Sequence, residues 1–215
     1  MTEAKNGQER LPLYQDDPAS TRRRGCSGLI GAAIFAAAFG GVAGLIGGRA
    51  AGLVVAVVIA LPLLYVVLFN VRRRLWLEGS TVVVRTWRTR RIDLVHAGRI
   101  DLLVTDVRGT RTVCLLINTG RRGKTVKIDV AVYSGTGGRE LGVLQLRRLA
   151  NAIMNNIEAN GIVFAELLVA QLKSEARGDG AAEKPLYRLA SAAPRGKLAQ
   201  RFTMEAVSRF VATLE

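Results

Sequence analysis

The residue types that carry catalysis are sparse and scattered in this chain of 215 residues. It has one histidine and two cysteines. His96 follows an apolar strand-like segment, where a lone histidine is more often structural than catalytic, and Cys26 and Cys114 are too distant in sequence to complete a metal site. No serine–histidine–acid spacing, P-loop or dinucleotide fingerprint is present. The sequence therefore predicts no enzyme activity, no cofactor and no metal.

One glycine-rich segment, 134–138, reads Ser-Gly-Thr-Gly-Gly and precedes a helical pattern. Backbone N–H groups at the start of a helix can bind an anion. The spacing matches no phosphate-binding fingerprint, and a connection between a strand and a helix commonly needs glycine. We therefore interpret 134–138 as a connector.

The chemistry that the sequence favours is electrostatic. The net charge is +14, and between residues 72 and 132 fourteen Arg or Lys oppose five Asp or Glu. Such a surplus suits anionic lipid headgroups or an acidic partner, although a solvated surface is the alternative interpretation. Nucleic acid is disfavoured, because aromatic residues that could stack on bases are scarce between the basic ones. Three basic turns supply the candidate contacts: Arg88, Arg90, Arg91, Arg108, Arg111, Arg121, Arg122 and Lys124.

Two uncharged stretches precede the basic region. Residues 25–48 and 50–71 carry no charge, and Arg49 separates them. As helices they would span roughly 36 Å and 33 Å, enough for a hydrocarbon core of about 30 Å. Buried helices of a soluble protein would show one polar face, and these stretches have none. The sequence predicts a transmembrane hairpin over 25–71.

The flanking charges predict how this hairpin is oriented. Arginines occupy 22–24 and 72–74, whereas the connection holds only Arg49. The positive-inside rule then places both termini in the cytoplasm of a multi-pass inner-membrane protein. A cleaved signal is disfavoured, since the run is long and a second span follows at once. Tyr65 and Trp76 are candidate aromatics near the membrane interface.

Small residues recur at every fourth position of the first stretch. Such a row forms a smooth groove on one helix face, against which another backbone can pack. We favour packing within the hairpin over contact with a second copy of the chain. Pro62 is expected to kink the second helix. The row consists of Gly28, Ala32, Ala36, Gly40, Gly44 and Gly48.

The periodicity after residue 72 predicts a small α+β domain. Short β-branched segments separated by polar turns indicate an antiparallel meander or barrel of about six to seven strands, closed by a helix around 146–157. The tail has the pattern of an amphipathic helix with Leu198, Phe202, Ala206, Phe210 and Leu214 along one face. Such a helix could lie on the membrane surface or dock a partner, and covering part of the domain is an equally favoured interpretation. The predicted segments are a disordered leader at 1–24, the hairpin at 25–71, the β domain at 72–158, a second helix at 159–176, a linker at 177–194 and an amphipathic helix at 195–215.

Residues 75–157 resemble a pleckstrin-homology-like domain of the bacterial kind. The resemblance rests on Leu77-Glu78-Gly79, a strand at 81–87, a short strand at 91–94, and further strands before the closing helix. In bacterial membrane proteins such domains often follow a two-helix anchor. The resemblance implies a scaffold for binding and carries over no catalytic residue.

These observations favour one function over another. The leading hypothesis is an integral membrane protein whose cytoplasmic PH-like domain is an adaptor, accessory or regulatory binding module. Its partners would be membrane lipids, with a protein partner or self-association through the membrane helices. The alternative is an oligomeric pore or transporter component built on the small-residue groove. That alternative predicts polar residues along the helices, where the sequence has almost none beyond Ser27.

Overall fold

A computed structural model describes residues 10–13, 18–120, 125–135, 137–194 and 198–214, which belong to two compact units. The apolar stretch forms one unit, which we call the helical unit, and the strand-rich stretch forms the other, the β unit. One turn of the strand-rich stretch belongs to the helical unit. The helical unit comprises Asp16–Arg74 and that turn, Arg85–Thr89. The β unit comprises Met1–Gln15, Leu75–Val84 and Arg90–Glu215.

The helical unit is built on a long apolar helix, α1 (Pro18–Arg72). Within it, Gly28–Phe69 forms a stretch of 42 residues that is long and apolar enough to cross a membrane. Most of its large side chains are exposed, Leu45 at 89% and Ile46 at 86% among them. We expected two separate transmembrane helices, whereas the described part of the chain contains a single helix that meets this criterion.

This helix is not straight, because its geometry breaks at Gly48. There φ is 81° and ψ is 172°, a conformation that residues with a Cβ atom rarely adopt. A Cβ atom built on Gly28 would lie 3.2 Å from Cγ2 of Val67. In a straight helix these two residues would be about 58 Å apart. The chain therefore turns back at Gly48, and α1 consists of two antiparallel arms, 28–47 and 49–69.

The first sheet of the β unit has four strands in sequential order. Leu11 pairs with Leu77 and Pro12 with Trp76 in antiparallel register. The alternation in the second strand buries Leu75 and Leu77 on one face, as a half-buried strand requires. The strands are β1 (Leu11–Pro12), β2 (Arg74–Glu78), β3 (Thr81–Arg85) and β4 (Thr89–Asp93).

The second sheet has five strands in the order β8-β7-β6-β5-β9. Its centre is the long hairpin of β5 and β6, and a register shift follows Val113 where β6 meets β7. At that point Cys114 is fully buried, and its Sγ donates to the Leu103 carbonyl at 3.1 Å. The strands are β5 (Arg99–Val107), β6 (Thr110–Asn118), β7 (Thr125–Ser134), β8 (Gly137–Glu140) and β9 (Ala199–Phe202).

Four further helices complete the core of the β unit. The sequence predicted an apolar stripe on the first of them, consisting of Leu146, Leu149, Ala150, Ile153, Met154 and Ile157. The first four residues are buried as predicted, whereas Met154 is 44% and Ile157 89% exposed. Each fully buried leucine or isoleucine contributes about 2 kcal/mol to stability. The helices are α2 (Val143–Met154), α3 (Gly161–Arg177), α4 (Pro185–Ala192) and α5 (Met204–Ala212).

The predicted barrel closure is wrong, because the described strands form two separate sheets. The first sheet ends at β1 and β4, and the second ends at β8 and β9. The described residues contribute nine strands rather than six or seven. Two strands that were not predicted, β1 and β9, come from the leader and the tail, which we expected to lie outside the sheets.

Three segment predictions also need correction. Within the leader 1–24, Leu11–Pro12 is a strand and Leu13 is buried, while 1–9 and 14–17 lie outside the described residues. The linker 177–194 contains α4. The segment 134–138 leads into β8, so its described residues begin a β-hairpin and do not enter a helix directly.

The tail folds onto the β unit and is not one long helix. Within 195–215, β9 pairs with β5 and only α5 is helical. The Thr203 hydroxyl caps α5 by accepting from the Ala206 N–H, and Val207 and Val211 are buried. Leu198, predicted on the apolar helix face, is 77% exposed. Of the two uses considered for this segment, covering the domain is therefore the observed one.

One polar residue just after α2, which the helical period places on the side opposite the apolar stripe, is buried. Asn156 is 1% exposed, and its amide nitrogen donates to the carbonyls of Leu94 and Ala97 at 2.6 Å and 2.8 Å. Its Oδ1 accepts from the Ala159 N–H. The helix that was expected to reach Ile157 ends at Met154, and Asn156 joins its end to the segment after β4.

Candidate functional site

The basic residues proposed as contacts are divided between the two units. Arg88 lies in the turn that belongs to the helical unit, and Arg90 and Arg91 lie on β4; all three are exposed. The Arg91 guanidinium is 3.9 Å from the Glu78 carboxylate, too long for a strong ion pair. Outside the described residues lie Arg121, Arg122 and Lys124.

The turn between β5 and β6 separates two arginines with different roles. Arg108 is exposed with φ of 53°. The Arg111 side chain is only 17% exposed; its Nη1 donates to the Ala190 carbonyl at 2.8 Å, and its Nε faces the Asp106 carboxylate at 3.4 Å. Arg111 therefore connects β6 to α4, and it is not a free contact of the kind that we predicted.

The predicted basic turns do not all share one end of the sheet. Arg108 lies before the first residue of β6, and the turn that was predicted to contain Arg121 follows the last residue, Asn118. A strand of nine residues is about 30 Å long. These two turns are therefore at opposite ends of β6. The three predicted basic turns cannot form a single patch.

The small-residue row lies where the two arms of α1 pack. A Cβ atom on Gly40 would lie 2.6 Å from the Ala56 Cβ and 2.9 Å from the Gly52 carbonyl oxygen, so only glycine allows this approach. Gly48 differs from the rest: it is exposed, nothing lies within 4 Å of its Cβ position, and it forms the turn. The other members are Gly28 and Ala32, which are half-buried, Ala36, which is buried, and Gly44, which faces the second arm.

An aromatic cluster at the end of the helical unit was missed at the sequence level. The Trp87 ring stacks on Tyr65 with centroids 6.4 Å apart and planes 4° apart. The Arg72 guanidinium carbon lies 4.7 Å from the centre of the Trp87 ring, and Phe69 continues the stack beyond Tyr65 at 6.4 Å. A tryptophan between arginines in a polar turn was the available signal. We call Tyr65, Phe69, Arg72 and Trp87 the Trp87 column.

Trp76, which we expected near the interface, is instead part of β2 in the β unit. Its indole nitrogen donates to the Glu78 carboxylate at 2.8 Å, and Arg10 lies over its ring at 5.9 Å. That hydrogen bond, together with the charge of Arg10, holds the pKa of Glu78 below its usual value. Trp76 is thus a partly buried residue of the first sheet, on the strand that pairs with β1.

The single histidine belongs to an exposed hydrogen-bonded group. His96 Nδ1 is 2.8 Å from the Asp93 carboxylate, and the His96 side chain is 76% exposed. Burial raises the pKa of Asp93, but hydrogen bonds from His96, Val95 and Ser80 outweigh burial and bring that pKa below its usual value. Asp93 lies between the serine and the histidine, whereas nucleophilic catalysis requires the histidine in the middle.

A second polar cluster joins β8, α3 and the start of α4. Lys184 Nζ is 2.8 Å from Glu140 and 2.6 Å from Glu175. Burial and the neighbouring Glu175 raise the pKa of Glu140, whereas the hydrogen bond with Glu140 lowers the pKa of Glu175. Tyr133 donates to Glu140 at 2.9 Å. Lys184, Glu140, Glu175 and Tyr133 form the Lys184 cluster, in which the ammonium group offsets part of the carboxylate charge and links the start of α4 to β8 and α3.

A cleft of about 630 Å³ lies beside this cluster in the β unit. Tyr133 and Tyr187 form one wall, with rings 5.1 Å apart in an edge-to-face pair. Arg111 and Asp106 form another, and their charges already face each other. The Tyr133 hydroxyl and the Arg111 guanidinium are used within the fold, so these groups position elements of the protein itself.

Comparison with protein-family models, with curated proteins and with solved structures finds no match to this chain. The resemblance to a PH-like domain stays a prediction. Two exposed features of the structure bear on function. These are the apolar surface of the α1 arms and the Trp87 column.

Proposed function

We propose that this chain is an integral protein of the inner membrane. Its two α1 arms would each cross the bilayer, and the β unit would act on the cytoplasmic side as an adaptor, accessory or regulatory binding module. The observation that carries the proposal is the exposed apolar surface of two antiparallel arms that pack together through small residues. The arms, 28–47 and 49–69, would each be about 30 Å long, which is the thickness of the hydrocarbon core.

The exposed surface of the arms is unsuited to water. Ile34 is 63% exposed, Leu45 89% and Leu53 69%, and no charged residue other than Arg49 lies between them. A contiguous apolar surface of this extent on a soluble monomer would favour aggregation. Lipid chains cover such a surface at no cost, and the backbone groups of each arm are paired within the helix.

If both arms cross the bilayer, their antiparallel packing would bring the two ends of α1 to the same side of it. Arginines at 22–24 and 72–74 flank these ends, and Arg49 follows the turn at Gly48. The excess of arginine at the ends supports a cytoplasmic location for both termini.

The β unit supports a binding role better than a catalytic one. Its described polar clusters around His96, Arg111 and Lys184 connect elements of the fold. Seven strands, β2 to β8, precede α2 along the chain, which agrees with the six to seven strands and closing helix expected for a PH-like module. The helices α3 to α5 and strand β9 are additions to that pattern.

The alternative function, an oligomeric pore, draws no support from the arms. The small-residue row is used within one chain, where Gly40 packs on Ala56 and Gly44 on Gly52. Because the second arm of the same chain already fills this groove, another copy of the chain cannot pack into it. The described arms also present apolar side chains outward, whereas a pore lining would need polar ones.

Topology is tested by labelling introduced cysteines in intact cells. Arg49→Cys and Thr213→Cys are made in a background in which Cys26 and Cys114 are replaced. A membrane-impermeant maleimide should label position 49 from outside and position 213 only after permeabilisation. Labelling of position 213 in intact cells would refute the cytoplasmic location, and release of the chain by alkaline carbonate would refute membrane insertion.

The binding role is tested by cross-linking in native membranes. The full chain should give a discrete cross-linked species with one protein partner, and α1 with its turn alone should not. Recovery of the full chain only as an uncross-linked monomer would refute the adaptor role and leave the topology result intact.

A further inference from the structure

The Trp87 column brings a turn of the strand region onto one face of α1. Tyr65, Phe69 and Arg72 are spaced i, i+4 and i+7, so they lie on the same side of the second arm. Trp87 is held there by the stack on Tyr65 and by the guanidinium of Arg72. All these residues belong to the helical unit. The indole therefore has a fixed position relative to the helix.

This indole is fixed in place and yet largely exposed. Trp87 is 55% exposed, and its column neighbour Tyr65 is 58% exposed. A turn flanked by arginines is normally polar, and a tryptophan that fills no core cavity adds nothing to packing inside a fold. An indole has a large apolar body and a polar N–H, which suits the boundary between lipid headgroups and acyl chains.

The height of the column along α1 matches that boundary. Tyr65 and Arg72 are about 10 Å apart along the helix axis, and Trp87 lies beside both. The uncharged run ends between them, and arginines occupy 72–74. If the second arm crosses the bilayer, Trp87 lies at the level where hydrocarbon gives way to headgroups.

The charges around Trp87 complement an anionic leaflet. Arg72, Arg85 and Arg88 are exposed, and all three belong to the helical unit. Acidic side chains are absent from the turn Arg85–Thr89. Guanidinium groups form bidentate hydrogen bonds with phosphate, so three of them around an indole suit lipid phosphates.

We infer that the turn Arg85–Thr89 is a lipid-contact element. Trp87 is seated at the headgroup boundary of the leaflet that α1 enters, and Arg72, Arg85 and Arg88 contact the phosphates of anionic lipids. This inference rests on the proposed membrane insertion and adds to it a specific contact site and a lipid class. The basic residues of β4 and of the β5–β6 turn are not part of this element.

The chain is suited to a direct test because it has only two tryptophans. In Trp76→Phe, all tryptophan fluorescence comes from Trp87; in the matched control Trp87→Phe it comes from Trp76, which is hydrogen-bonded within the β unit. The full chain is reconstituted into phosphatidylcholine vesicles with or without phosphatidylglycerol. Lipids brominated near the headgroup or deep in the acyl chain serve as quenchers.

The expected result is a blue-shifted Trp87 emission that shallow bromines quench more strongly than deep bromines. Brominated phosphatidylglycerol should quench Trp87 better than brominated phosphatidylcholine at equal content. In Arg85→Gln/Arg88→Gln this preference should fall by up to about fivefold for each arginine. Trp76 emission should respond less to every brominated lipid.

Two outcomes would overturn the inference. Quenching of Trp87 by aqueous iodide but not by brominated lipid would show that the indole faces water. Protection from both quenchers would show a covering protein surface or second copy. Alkaline extraction of the same vesicles separates the proposals: an inserted chain with an unquenched Trp87 refutes only the lipid contact, whereas an extracted chain refutes insertion.

Discussion

Replacing Lys184 with methionine is expected to destabilise the β unit in a way that depends on pH. The substitution keeps the length of the side chain and removes the charge that Glu140 and Glu175 share. The three side chains are 16%, 12% and 25% exposed, so the remaining carboxylates would be poorly solvated. Removing one partner of such a group costs about 3 kcal/mol. In a chain of this size that corresponds to a lower Tm by about 6–12 °C.

The pH dependence has a definite sign. Burial lowers the pKa of Lys184, but its two carboxylates outweigh burial and raise that pKa, so in the unmodified protein the cluster stays charged near neutrality. Burial and the neighbouring Glu175 already raise the pKa of Glu140, and Lys184 opposes this, so removing the lysine should raise the pKa of Glu140 further. A carboxyl with a raised folded pKa stabilises the fold at low pH, and this contribution is lost as pH rises. The Tm deficit of Lys184→Met should therefore shrink between pH 7 and pH 5.

The assay is thermal unfolding of the full chain in detergent, followed by tryptophan fluorescence at both pH values. Lys173→Met, on the exposed side of α3, is the matched control and should change Tm little. Adding Glu140→Gln to Lys184→Met should recover part of the loss at pH 7. A Tm within 2 °C of the unmodified protein, or a deficit that does not shrink at pH 5, would contradict the proposed role of Lys184.

Three further predictions follow from individual contacts. Gly40→Leu should separate the two arms and increase proteolysis in detergent, whereas Gly41→Leu, with nothing within 4 Å, should not; equal digestion of the two variants would refute the packing. Asn156→Ala leaves two buried carbonyls unpaired and should lower the free energy of unfolding by about 2–3 kcal/mol in urea titrations, whereas the exposed Asn155→Ala should leave it almost unchanged. Burial raises the pKa of Cys114 to about 11, so its thiol should resist maleimide at pH 8 until the fold is opened, and rapid labelling of the folded chain would contradict its burial.

Much of the fold could be predicted because local patterns agree with it. The strands of the hairpin β5–β6 and the stripe of α2 follow directly from periods of two and about 3.6 residues. The predictions failed where a segment was short or weakly patterned. Leu11–Pro12 and Ala199–Phe202 are too short to signal a strand, and they are strands because an existing edge offers them hydrogen bonds.

The candidate site was predictable only in part. The small-residue row could be read from its four-residue spacing. Gly48 has that spacing too, but its positive φ makes it part of the turn and not of the packed groove. The basic residues could be listed, but their grouping could not. The partly buried Arg111 donates a hydrogen bond to the Ala190 carbonyl, and Arg108 lies at the end of β6 opposite to the turn after Asn118.

The sequence by itself determined the apolar helix, its flanking arginines and the change to strands after residue 72, because hydropathy, charge and period are local properties of the chain. Tertiary structure decided what those elements meet. It turned α1 back on itself, divided the strands into two sheets and buried Asn156. It also set Trp87 on Tyr65 and Arg72, residues fifteen or more positions away, and no local pattern encodes contacts over such separations.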